Sequence, residues 1–108
     1  MRVNKITAVI PYTAIDKVEE NLTALGVVWI TVEKVRGHGE HMNYYDKDCM
    51  TDCIRIEVFI EEEKARCIAD AICYGAYDGK NSDGMVAIHP VEEFIRVRDF
   101  KEAAENAC

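Results

Sequence analysis

Ile54-Arg55-Ile56-Glu57-Val58-Phe59-Ile60-Glu61-Glu62-Glu63 is the stretch from which the fold can be read. Ile54, Ile56, Val58 and Ile60 fall on one face of an extended chain, and Arg55, Glu57 and Phe59 on the other. That alternation is the pattern of a half-buried strand over 54–60. The three glutamates suit the positive end of a following helix, whose apolar stripe is Ala65, Ile68, Ala69, Ile72 and Ala76. Downstream, Asp78-Gly79-Lys80-Asn81-Ser82-Asp83-Gly84 is a turn-rich loop, with strands expected at 85–89 and 91–98 and Pro90 as the break between them. Upstream, the β-branched run 3–10 ends at Pro11. Ala14, Ile15, Val18, Leu22 and Leu25 then recur at helical spacing over 13–25, with Gly26 where a C-cap belongs. Residues 27–36 read as a second strand ending at Gly37-His38-Gly39.

The order is β-α-β-β-α-β, with the last strand broken. It predicts the ferredoxin-like sandwich, an α+β fold with one antiparallel sheet and two helices on one of its faces. Trp29 and Phe59 occupy alternating positions suited to the other face, and an uncovered apolar sheet face becomes a subunit interface. A homo-oligomer is therefore expected. Residues 37–53 show no apolar periodicity, and so long a polar connection inside a compact domain points to a mobile, functional loop.

The chain has 108 residues, and at roughly 150 residues per domain this is a single domain, 1–108. Its formal charge is 13 − 20 = −7, which supplies no field for nucleic acid or anionic lipid. Since no apolar run approaches about 18 residues and the N-terminus lacks a signal-peptide pattern, membrane insertion is disfavoured and a cytoplasmic location expected. Five cysteines (Cys49, Cys53, Cys67, Cys73, Cys108) with no CxxC pair suggest reduced thiols rather than a disulfide framework. Cys67 and Cys73 are expected to be small buried hydrophobes on the second helix, and Cys108 an exposed thiol.

Arg96 and Arg98 lie two residues apart, hence on one face of the expected last strand. Side by side they either bracket an anion or are surface arginines neutralised by Glu33, Glu57 or Glu92/Glu93. Gly37, Gly39 and Gly84 sit in loops where backbone amides could approach an anion, or are ordinary turn residues. His38, His41, Cys49 and Cys53 are metal-ligand types whose spacing fits no standard zinc pattern. No metal site or catalytic residue is assigned. The histidines have no partner context for activating a nucleophile, and the adjacent Glu92 and Glu93 point to opposite faces of a strand.

The run Asp78 to Met85 resembles the Thr-Gly-Lys-x-Gly-Asp-Gly-Lys signature of the PII signal-transduction proteins. Val91-Glu92-Glu93-Phe94-Ile95-Arg96-Val97-Arg98 resembles that family's closing strand with its Arg-x-Arg. Leu25-Gly26, Ile30 to Val35, and Arg36-Gly37-His38-Gly39 resemble its second strand and the start of its long T-loop, and Ile56-Glu57-Val58 the strand after that loop. The likeness runs from Val3 to Arg98. It implies a non-enzymatic regulator, a trimer of ferredoxin-like subunits binding adenine nucleotides in inter-subunit clefts, with a T-loop at about 37–53 that docks on a target transporter, enzyme or regulator. Carried over by position, Thr31, Glu57 and Val58 would surround the adenine. Gly37, His38 and Gly39 would meet the phosphates, Ser82, Asp83 and Gly84 the ribose and phosphate, and Arg96 and Arg98 the phosphate oxygens.

The departures from that family are chemically directed. Met85 replaces the lysine that ends the signature and Glu40 the arginine after Gly-x-Gly, so two cations are missing where outer phosphates would sit. ADP or AMP should therefore be favoured over ATP. Ser82 replaces a glycine, Tyr44-Tyr45 lacks the context of the family's modified tyrosine, and His41 stands where a glutamine tied to 2-oxoglutarate sensing is expected. The loop is also shorter than is typical. These features describe an atypical PII-like member, compatible with a role in carbon or nitrogen metabolism, bicarbonate response included. The alternative is a metal- or redox-responsive trimeric module resembling the divalent-cation-tolerance proteins, which share the fold.

Overall fold

The computed structural model describes residues 2–37, 51–79 and 84–100. Its elements are β1 (Val3–Pro11), α1 (Ile15–Ala24), β2 (Thr31–Gly37), β3 (Thr51–Glu61), α2 (Glu62–Ala76) and β4 (Met85–Val91), with short 3-10 turns at Tyr12–Ala14 and Val97–Asp99. The sheet order is β2-β3-β1-β4, every neighbouring pair antiparallel. This is the expected ferredoxin-like arrangement.

Period two along the strands decides what is buried. Ile6, Ala8 and Ile10 of β1 pair with Val58, Ile56 and Ile54 of β3, and all six face the helices. Val18 and Leu22 of α1 and Ala65, Ile68 and Ile72 of α2 close over them. Fully burying such aliphatic side chains is worth about 1.5–3 kcal/mol each, so this one layer carries the fold.

Two local devices set the helices. The Val27 amide donates to the Leu22 carbonyl at 3.0 Å and the Gly26 amide to Thr23 at 2.9 Å, while Gly26 adopts φ +80°. That is the Schellman geometry, in which a side chain at Gly26 would be strained. Between the helices, a Cβ added at Gly75 would lie 2.8 Å from Val18 Cγ2 and 3.0 Å from Val18 Cα. Only glycine lets the two backbones come this close. Asn21 Nδ2 donates to the Ala71 carbonyl at 3.1 Å across the same interface.

Several expectations are corrected. The second strand begins at Thr31, not Val27, because the C-cap turn draws Val27 into the core and the ladder stops at Thr31↔Glu57. Pro90 does not break the fourth strand: β4 is an edge strand, where the missing donor costs no ladder bond, and Pro90 stands opposite Asn4. The strand expected over 91–98 does not form: Val91 closes β4 and no strand follows over 92–98. Val91 pairs with Val3, the first residue of β1, so nothing remains for the next residues to pair with. Arg96 and Arg98 therefore do not share a strand face, nor do Glu92 and Glu93 lie on a strand.

Leu25 caps α1 and is exposed rather than part of its buried stripe. Cys67 and Cys73 are exposed, because the α2 stripe through Ala65, Ile68, Ala69 and Ile72 leaves both on outward turns of the helix. The expected loop at 37–53 is narrowed too, since Gly37 pairs with Thr51 and Cys53 with Val35 within the ladder. Its remainder, 38–50, lies outside the described residues.

Candidate functional site

The sheet face opposite the helices carries Thr31 and Glu33 from β2, Arg55, Glu57 and Phe59 from β3, Lys5 and Thr7 from β1, and Ala87 and His89 from β4. After Val91 the chain turns back over this face. The Phe94 ring packs on Phe59 with centroids 5.3 Å apart and planes at 32°. A cavity of about 540 Å³ forms beneath this returning segment, lined by Trp29, Thr31, Glu57, Phe59, Phe94, Ile95, Arg96, Val97 and Arg98. Its floor is the open face of β3. Its two walls come from the stretches outside the ladder, Trp29 on one side and residues 94–98 on the other.

Apolar walls with a few convergent polar groups are the usual make-up of a small-ligand site. Glu57 can only accept hydrogen bonds when ionised, Thr31 can donate or accept, and the two guanidiniums can each fork onto an oxyanion. Glu33 does not neutralise them, because it pairs with Arg55 directly across the β2–β3 ladder. Arg98 Nε lies 4.0 Å from Asp99 Oδ1, a weak surface pair. Among the described residues no carboxylate forms an ion pair with Arg96.

Four of the residues picked out from the sequence thus meet in one cavity: Thr31, Glu57, Arg96 and Arg98. Val58 does not join them. It is 1% exposed and faces the helices, because its neighbour Glu57 takes the open face. Gly37 and Gly84 lie at the far end of the sheet, Gly37 opposite Thr51 and Gly84 beside Val9 and Ile10. At about 3.3 Å per residue, Gly37 is about 20 Å along β2 from Thr31, longer than a nucleoside diphosphate can bridge within one chain. Gly84 also has a packing reason to be glycine, since a Cβ there would sit 3.0 Å from the Val9 carbonyl oxygen. His38, Gly39, Ser82 and Asp83 lie outside the described residues.

Trp29 and Phe59, which the strand pattern puts on the open face as interface positions, and Phe94, to which it gives no role, also line the cavity. The signal that could have found them is the density of aromatic residues flanking Thr31, Glu57 and Arg96. No group of three or more His, Cys, Asp or Glu side chains converges on a metal position among the described residues. No described helix is long and apolar enough to cross a membrane.

Fold and cavity together define a ferredoxin-like domain with a candidate ligand cavity beneath residues 94–98. Residues 3–101 match the family described as Nitrogen regulatory protein P-II. The chain is 31% identical to the nitrogen regulatory protein P-II of Pasteurella multocida, over 91% of this chain and 94% of that protein. It is likewise 31% identical to that of Azospirillum brasilense, over 94% and 96%. A crystal structure of Arabidopsis thaliana PII bound to citrate superposes with a TM-score of 0.77 at 28% identity, covering 90% of this chain and 84% of that one. The chain belongs to the nitrogen regulatory protein P-II family, whose members are signalling regulators.

Proposed function

We propose that this chain is a non-enzymatic PII-like regulator that binds adenine nucleotides in clefts between the subunits of a homotrimer. It signals through its T-loop, about 37–53, to a target protein in carbon or nitrogen metabolism. The observation that carries this reading is the cavity joining Thr31 and Glu57 to Arg96 and Arg98 beside an aromatic wall. Base-sized apolar surface and phosphate-binding forks stand within one small volume.

The distance from that cavity to Gly37 and Gly84 supports an inter-subunit cleft. A ligand held by Thr31 and Arg96 of one copy meets glycine-bearing ends only if a second copy supplies them. Met85, half exposed directly after Gly84, offers no charge to an outer phosphate, and this favours ADP and AMP over ATP. A bicarbonate response is compatible with the same assignment.

Calorimetry against AMP, ADP, ATP and cyclic AMP, with sedimentation at micromolar concentration, tests the proposal. The expected results are saturable binding of AMP and ADP and a species of three 12.3 kDa chains. A monomer that binds none of the four overturns it.

A further inference from the structure

We infer that Trp29 is the surface on which the base of the bound nucleotide stacks, so that this side chain selects an aromatic base over the phosphorylated sugar alone. The inference rests on the nucleotide reading above and adds the residue that recognises the base.

Trp29 is 78% exposed, although it is the largest apolar side chain in the protein and the sequence's sole tryptophan. Its exposure follows from the backbone. Continuing the β2–β3 register past Thr31↔Glu57 would set Trp29 opposite Phe59, yet the ladder stops two residues short. The 27–30 stretch leaves the sheet, and Trp29 becomes the wall of the cavity whose floor is Phe59. Phe59 and Phe94 already pack on one another. Among the described residues Trp29 has no ring partner, so within the single chain its ring borders the cavity unstacked.

The rest of the lining fits a base rather than any flat apolar molecule. Glu57 can accept from an exocyclic amine, Thr31 can donate to a ring nitrogen, and both border the same space as Trp29. Arg96 and Arg98 bound the cavity as well, placing phosphate oxygens within a nucleotide's length of the stacked ring. Stacking is sequence-tolerant because every base has a π face. Trp29 therefore supplies affinity for bases generally, and the Glu57–Thr31 edge discriminates among them.

The test follows Trp29 emission and calorimetric heat together in the full chain, using AMP and ribose 5-phosphate, for the native protein, Trp29→Ala and Trp29→Phe. AMP should change the emission saturably with the calorimetric midpoint. Loss of a base–aromatic stack should weaken AMP by about fivefold to 150-fold in Trp29→Ala. Trp29→Phe keeps a ring and should retain most of the affinity, and ribose 5-phosphate should bind native protein and Trp29→Ala alike. Calorimetric binding of AMP with unmoved emission, and with Trp29→Ala as tight as native, overturns this inference and leaves the proposed function standing. Absence of AMP, ADP and ATP binding to the native protein overturns both.

Discussion

Replacing Arg96 by alanine should weaken every phosphorylated ligand of the cavity by a similar factor. Arg96 lines the cavity, and no carboxylate pairs with it among the described residues. Its truncation thus removes a ligand contact without stranding a protein partner. A hydrogen bond to a charged group contributes about 1.5–3 kcal/mol, or about tenfold to 150-fold in affinity. Because Arg96 is exposed in the single chain, the lower end, about tenfold, is expected.

Arg98 supplies an internal comparison. Asp99 stands 4.0 Å from it and offsets part of its charge, so Arg98→Ala should cost less than Arg96→Ala. Asp99→Asn should tighten binding, by up to about fivefold if the exposed pair is worth up to about 1 kcal/mol. Calorimetry with AMP and ADP on the three variants gives the order. Arg96→Ala binding both ligands as the native protein does, with its melting temperature unchanged, would refute the assignment of Arg96 to the phosphate.

Gly75→Ala adds a methyl group against Val18 Cα, a backbone atom that no side-chain rotation can clear. Overpacking of about 1–3 kcal/mol should exceed the helix-propensity gain of about 1 kcal/mol and lower the melting temperature by several degrees, read by circular dichroism. Met85→Lys restores a cation next to Gly84 and should improve ATP relative to AMP by about tenfold in competition calorimetry. An unchanged ratio would refute the charge argument. In thiol labelling of the native protein, Cys67 and Cys73 should react quickly and the half-buried Cys53 more slowly.

The sequence by itself determined the elements whose burial is periodic. The alternation through Ile54, Ile56 and Val58 and the stripe through Ala65, Ile68 and Ile72 each specify one buried face, because a one-residue slip would expose the whole set. Gly26 announced its own C-cap, since few other residues tolerate φ +80°. The PII resemblance, carried by Ile30 to Val35, Ile56 to Val58 and Val91 to Arg98, named Thr31, Glu57, Arg96 and Arg98. Tertiary structure decided how those four meet. Residues 27–30 and 92–98 have the composition of strands, but a strand exists only where a neighbour offers unpaired backbone groups. β1 begins only at Val3, opposite Val91, and the β2 ladder begins only at Thr31. Pairing partners, which local pattern does not encode, freed both stretches from the sheet and brought Trp29 and Phe94 into one cavity with Arg96.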